Sequence, residues 1–439
     1  MSTPDHRAVD REIARLLTGA VSAHGTAPST GRRDLWSAFA QATDDGKRFR
    51  PALLTATHRA LGGLRGEAAV QVAAALELLH TAFVVQDDVI DGDLMRRGVP
   101  SLPGRFAQDV QQHGTSAAEA RRYGDAAGIL AGDLGLLTAF RAIARCDAPA
   151  PVVERLLDLF ETTVHSSAIG ELADVRLQLG PTEQPGALRE ALAVAEFKTA
   201  VYSFQFPLHA GALLADADSE TLGVLDEIGG LLGIGFQLVD DLLGMFGDER
   251  LTGKSALGDL REGKRTALIA HATTTAQWPQ LRPLLGEPDL DAADARRARA
   301  LLTDSGSRAW TEELARWHLT SAVSSASQHG LPSPLVHALS TVTDEILRTS
   351  DLLLPPESTA TTDTDAGVTA EATEKATEKA SAASRSTADP TSNPASRSKP
   401  DPNPSPNPNP NPNPNHDSMA APSAERTDAR TPATTGRPS

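Results

Sequence analysis

Three aspartates crowd into the stretch ELLHTAFVVQDDVIDGDLMRRG, from Glu77 to Gly98: Asp87, Asp88 and Asp91. On a helix Asp87 and Asp91 stack one turn apart, with Asp88 three residues before Asp91. Carboxylates so placed repel one another unless a cation lies between them. Mg²⁺ suits the arrangement, because it takes oxygen ligands, keeps waters and shares its shell with substrate phosphates. Arg96 and Arg97 follow at once. Guanidinium beside a carboxylate–metal site fits a polyphosphate held from both sides. A lone motif of this kind also reads as an exposed acidic helix end with compensating arginines.

A second pair changes that balance. Asp240 and Asp241 follow another apolar run, in FQLVDDLLGMFGDERLTGKSALGDLREGK (Phe236 to Lys264). Two such helices facing each other would clamp one diphosphate, with Mg²⁺ ions between acid and phosphate oxygens acting as Lewis acids on a leaving group. Lys254 and Lys264 lie downstream in Gly-Lys pairs, and Gly244 stands where a third acid would fall. A cationic cluster, Gly46-Lys47-Arg48-Phe49-Arg50-Pro51, precedes a helix. Lys and Arg suffice there for a second diphosphate that must stay intact. His80 lies two turns before Asp87 on the same face and could join it. Lys198-Thr199 adds a further cation and a hydroxyl.

The elements that must position these groups are helices. Apolar residues recur at three and four, as in Ile13, Leu16, Leu17, Val21 and Leu76, Leu79, Phe83, Ile90. Ala/Leu-rich stretches cover about 66–95, 123–145, 151–180, 187–215, 219–246, 262–274 and 309–349, separated by Gly and Pro breakers. No strand-like alternation bounded by hairpin turns is visible. The expectation is one large all-α domain, residues 1–355, with antiparallel helices around a deep central cavity.

Composition bounds the rest. The chain has 439 residues, a formal charge of −16 and one cysteine, Cys146, which excludes an internal disulfide or thiolate cluster. The acidic balance argues against a nucleic-acid partner. No unbroken apolar run reaches the ~18 residues of a membrane span, and the N-terminus opens polar, so a soluble cytoplasmic protein is expected. Residues 356–439 contain no Leu, Ile, Phe, Trp or Tyr and hold 14 of the 30 prolines. So little apolar surface cannot offset the entropy of ordering, and a disordered tail is expected.

The motifs resemble those of the trans-isoprenyl diphosphate synthases, the polyprenyl synthetase family. The resemblance spans roughly residues 10–350 and rests on order and spacing: GKRFRP, the His80-to-DDVID-to-RRG run, FKTA, FQLVDDLLG, then GK and DLREGK. It is most like bacterial geranylgeranyl diphosphate synthases. It implies an all-α isoprenoid synthase fold, usually homodimeric, that joins an allylic diphosphate to isopentenyl diphosphate and releases pyrophosphate. It implies that Asp87, Asp88 and Asp91 hold two Mg²⁺ ions and Asp240 and Asp241 a third, with Mn²⁺ able to stand in. Arg96, Lys198 and Lys254 would hold the allylic diphosphate, with Lys264 nearby. Lys47, Arg50, His80 and Arg97 would hold isopentenyl diphosphate, and Thr199 and Gln237 would line the reacting centre. The chain departs from the pattern at Gly244, where the family's last Asp is missing, and at Glu171, where Gln is usual.

The growing product must run along the helix that carries Asp87, so Ala82 and Phe83, one turn earlier, would set its length. Ala82 opens room where short-chain members often carry an aromatic, and a C20 product is expected, with C15 next. Rival readings are a class I terpene cyclase, a synthase that prenylates another acceptor, and a non-catalytic partner subunit. The isopentenyl set, an aromatic content of only 4% and five acids of the expected six oppose them.

Overall fold

The computed structural model describes residues 4–22, 32–44, 48–96, 98–180, 186–247 and 258–354. Backbone proximity divides the chain into one unit, Met1–Ala360, and a second, Thr361–Ser439. The second unit, and with it the expected disordered tail, lies outside the described residues.

Helices follow one another along the first unit: α1 (Pro4–Ser22), α2 (Arg32–Thr43), α3 (Phe49–Ala60), α4 (Gly66–Ile90), α5 (Leu102–Gln112), α6 (Ala117–Ile143), α7 (Ala150–Leu179), α8 (Ala187–Val194), α9 (Phe206–Leu214), α10 (Ser219–Phe246), α11 (Gly258–Glu262), α12 (Ala267–Ala272), α13 (Trp278–Leu281), α14 (Ala292–Asp304), α15 (Ser307–Gln328) and α16 (Ser333–Leu353). Their starts follow side-chain chemistry. Ser116 and Asp218 accept from the amides of Glu119 and Thr221, and Asp291 closes a capping box with Asp294. The strand expectation needs one correction. Met95–Arg96 (β1) and Val99–Pro100 (β2) pair antiparallel just after the first acidic motif. Two residues a side are too few to show an alternation.

Between Glu67 and Asp87, α4 is interrupted only by Gln71, Glu77, His80, Thr81 and Gln86, and a helix apolar on nearly every face belongs in the interior. It packs along α6, while α10 packs along α15 and along the segment that leads into α9. One apolar cluster joins α1, α2, α4, α6 and α7, a second gathers around α10, α15 and α16, and a third lies under α11 to α14. Reading unbroken runs missed that α4, α6 and α10 (25, 27 and 28 residues) are long and apolar enough, by length and composition, to cross a membrane. Isolated polar residues interrupt the runs without lowering the average much. In α4, 72% of the apolar window is buried within the protein itself.

The stretch 187–214 is not one regular helix. Ala195–Gln205, between α8 and α9, is wound as a π-helix. Pro207 follows, lacking an amide and crowding the Ser203 carbonyl in a regular ladder; the wider turns accommodate it. Apolar periodicity hardly differs between the two windings, so the sequence shows only a helix. The winding places Lys198 and Thr199 on one short segment, and π-turns often mark such sites.

Candidate active site

The two acidic motifs end their helices in one place. Asp91 is the C-cap of α4, its amide donating to the Asp87 carbonyl at 2.9 Å, and Gly92 (φ 72°) turns the chain away. The helix therefore stops at Ile90, short of the 95 expected, yet Asp87 and Asp91 keep the one-turn stacking. Carboxylate oxygens of Asp87, Asp91 and Glu171 lie within 4.8 Å of one another. Asp88 turns away from this group. It is 3% exposed and accepts from Arg96 Nε at 2.7 Å, while Arg96 Nη2 donates to Asp87 at 3.2 Å. Of the expected trio, Asp87 and Asp91 therefore stand together with Glu171, while Asp88 faces Arg96. Adjacent residues on a helix point about 100° apart, so Asp87 and Asp88 cannot share one ion easily.

Two lysines knit the acids. Lys198 Nζ lies 2.8 Å from Asp174, 3.1 Å from Glu171 and 3.4 Å from Asp87. It gets there because Gly170 of α7 has no side chain: a Cβ there would meet the Lys198 amide nitrogen at 2.4 Å. Lys264 Nζ lies 3.1 Å from Glu262, 3.4 Å from Asp259 and 3.5 Å from Asp91. From the second motif, Asp241 accepts from Gln237 Nε2 at 2.8 Å, and Gln237 Oε1 accepts from the Thr199 hydroxyl at 2.5 Å. Asp240 is half-buried beside it.

The cationic site forms around an aromatic ring. Arg50 is buried, donates to Ser203 Oγ at 2.9 and 3.1 Å, and lies 5.0 Å over the Tyr202 ring. His80 stacks on the same ring at 5.8 Å, and Phe83 meets its edge at 5.3 Å. Tyr202 thus joins the expected second-diphosphate residues to the expected length-setting one. Ala82 is fully buried and faces α6, 3.0 Å from where a Cβ on Gly135 would stand.

Crowded carboxylates shift the site's proton equilibria. Burial opposes the charge on Asp87, but Lys198, Arg96 and Lys264 outweigh it and hold that carboxyl below its usual range. Burial lifts Asp88 to about 6 despite Arg96, and Glu171 to about 7 despite Lys198. Asp241 rises to about 8: burial dominates, and Asp240, Asp259 and Asp174 add to it against the Gln237 hydrogen bond. Burial also raises Asp91, against Lys264. Burial disfavours the charge on Lys198 and Lys264, but their acid partners prevail and raise both.

Residues 34–302 match the family model described as polyprenyl synthetase. The chain belongs to the polyprenyl synthetase family. It is 34% identical to the geranylfarnesyl diphosphate synthase of Aeropyrum pernix over 281 residues, covering 63% of this chain and 81% of that one. It is 30% identical to the geranylgeranyl diphosphate synthase of Methanosarcina mazei over 290 residues, 66% of this chain and 82% of that one. Among solved structures it is similar to the geranylgeranyl pyrophosphate synthase of Corynebacterium glutamicum complexed with isoprenyl diphosphate and magnesium. There the TM-score is 0.71, with 27% identity over 78% of this chain and 97% of that one. Members of the polyprenyl synthetase family are prenyltransferases with an all-α fold, and both features hold for this chain.

The donor set fits the family's metal. Asp87, Asp91 and Glu171 offer only hard oxygen donors at bridging distance, which suits Mg²⁺. Of the residues expected at the site, Asp87, Asp88, Arg96 and Lys198 share one set of ion pairs, Asp91 pairs with Lys264, and Thr199, Gln237 and Asp241 form a hydrogen-bonded chain. Arg50 and His80 form the second group, while Lys47, Arg97 and Lys254 lie outside the described residues. Tyr202, Ser203, Asp174 and Asp259 were missed. GELAD carried a signal for Asp174, three residues after Glu171 on the same helix face.

Proposed function

We propose that this protein joins isopentenyl diphosphate to an allylic diphosphate (dimethylallyl, geranyl or farnesyl), with geranylgeranyl diphosphate as its main product. The observation that carries this reading is the pair of adjoining sites: a carboxylate ring threaded by Lys198 and Lys264, and a pocket of Arg50 and His80 on Tyr202. One suits a diphosphate that leaves, the other a diphosphate that stays. A cyclase would have no use for the second.

In this reading Asp87, Asp88 and Asp91, with Glu171 adjoining, and Asp240 and Asp241 would hold three Mg²⁺ ions, for which Mn²⁺ could stand in. When bound, the metal supplies Lewis-acid stabilisation of the departing diphosphate. Arg96, Lys198, Lys254 and Lys264 add positive charge on the same group. Lys47, Arg50, His80 and Arg97 fix isopentenyl diphosphate so that its double bond faces the allylic carbon. The allylic C–O bond breaks, a C–C bond forms, and the proton then lost passes to the released pyrophosphate. Thr199 and Gln237, bonded to each other at 2.5 Å, border the reacting carbons.

A C20 product is supported by Ala82, which leaves the level below the acids without an aromatic block; Phe83 against Tyr202 is the feature that would favour C15. A homodimer is supported by the exposed apolar residues Ile129, Leu130, Leu137 and Phe140 on α6 and Leu172 on α7. A cytoplasmic location suits water-soluble diphosphate substrates and the buried apolar window of α4. Pyrophosphate release tests the reaction class. It should require Mg²⁺, isopentenyl diphosphate and an allylic partner together; release from the allylic diphosphate alone would contradict the proposal.

A further inference from the structure

Ala82 carries little side chain on α4, and the room it leaves is taken up from a different helix. A Cβ built on Gly135 of α6 would stand 3.0 Å from the Ala82 Cβ, 2.4 Å from Cζ of Phe39 and 2.6 Å from its Cε2. The ring end of Phe39 and the methyl group of Ala82 therefore flank one point on α6, where α6 itself has no side chain. Ala82 lies five residues before Asp87, about 7.5 Å along the α4 axis, and the ring stands at that level below the acids. Phe39 comes from α2, and it and Ala82 are both buried in the same apolar cluster. Glycine on α6 and alanine on α4 thus make room for an aromatic ring, and α2 provides it. Trp36, one turn earlier on α2 and also buried, meets that ring edge-on, with centroids 6.0 Å apart and planes at 87°. This is a favoured aromatic arrangement and holds the ring where it is.

We infer that Phe39 determines product length: its ring closes the space beside Ala82, so the limit on the growing apolar tail is imposed by α2 from across the bundle. The inference rests on the proposed function and names the group that ends the tail. A tail running along α4 from the acids first passes Phe83, whose ring lies against Tyr202. It then reaches the level of Ala82, where α4 and α6 offer least side chain and the Phe39 ring fills the difference. A close-packed interior admits further methylene groups only where something gives way. The tail therefore stops at the ring, and a smaller residue at position 39 lets it go on.

The test uses the full chain with Mg²⁺ and isopentenyl diphosphate, offers geranyl and farnesyl diphosphates separately, and sizes the alcohols after dephosphorylation. Helicity and thermal melting are read on the same samples by circular dichroism. Phe39→Leu should add a product one isoprene unit longer than that of the unsubstituted chain, and Phe39→Ala should make the longer product the main one. Returning the ring from the other helix, Phe39→Ala combined with Ala82→Phe, should bring the length back to the original or below it. A ring that serves packing alone would lower the melting temperature and leave the length where it was. Folded Phe39→Leu and Phe39→Ala with the original product length would overturn the inference, and so would a double variant as long in product as Phe39→Ala. If Phe39→Ala does not fold, Phe39→Leu decides, because it keeps more of the apolar volume. Elongation with unmoved lengths overturns this inference alone; no elongation of either starter by the unsubstituted chain overturns the proposed function, and the inference with it.

Discussion

Asp87 and Asp241 sit in opposite electrostatic conditions, although both are acids of paired motifs. Asp87 is surrounded by Lys198, Arg96 and Lys264, whereas Asp241 has acids for neighbours and one amide hydrogen bond. Metal-free, Asp241 and Glu171 keep protons to about 8 and about 7, far above the ~4 of an unfolded carboxyl. The folded state then binds more protons than the unfolded one, and stability falls as pH rises through those values. His58, His271 and His318, lowered by burial, act in the other direction only below ~6.5. Between pH 7 and pH 8.5, roughly, the Tm of metal-free protein should therefore drop, and Mg²⁺ with pyrophosphate should abolish the drop. A metal-free Tm that is flat or rising over that window would contradict these assignments. The acids and lysines themselves were legible in the sequence, because charge at helical spacing is a local property. Tyr202 was not, since it acts on Arg50 and His80, far away along the chain.

The start of α3 is an element held by charge. Arg48 takes a left-handed backbone (φ 53°), which a side chain with a Cβ adopts only at a cost. It stays there between Asp10 of α1, at 3.1 Å, and Glu77 of α4, at 3.2 Å. Glu77 is 2% exposed. This clamp fixes the turn from which Arg50 enters the cationic pocket. Glu77→Ala leaves Arg48 charged, buried and without its inner partner, and should destabilise the protein by about 3–5 kcal/mol in urea unfolding. A loss below about 1 kcal/mol, typical of a surface pair, would show that Arg48 finds water instead. Helix positions were largely readable, since apolar periodicity and Gly/Pro breakers are written locally. The π-helix and the early stop of α4 were not, because they depend on Pro207 crowding and on a single glycine turn.

At the scale of the whole molecule, the exposed apolar side chains of α6 and α7 and the proposed product floor beside α4 can each be tested. Leu137, 61% exposed, is one of those side chains, and a charge there should oppose burial against a second copy. The proposed homodimer predicts that the unsubstituted chain sediments as a dimer and Leu137→Asp as a monomer; an unchanged dimer would place the interface elsewhere. The proposed floor lies beside α4. Ala82→Phe should shorten the product, with some loss of stability because the site already packs on α6; unchanged length would remove Ala82 from the floor. The reaction class was legible because two acidic motifs and a cationic cluster recur in fixed order. Product length was not, because it depends on how a few neutral side chains meet across helices. The most direct test of the account is the product itself. The purified chain would be incubated with Mg²⁺ and isopentenyl diphosphate, with dimethylallyl, geranyl and farnesyl diphosphates offered separately, and the alcohols sized after dephosphorylation. A C20 alcohol is the predicted result; no elongation from any of the three starters would contradict the account at its centre.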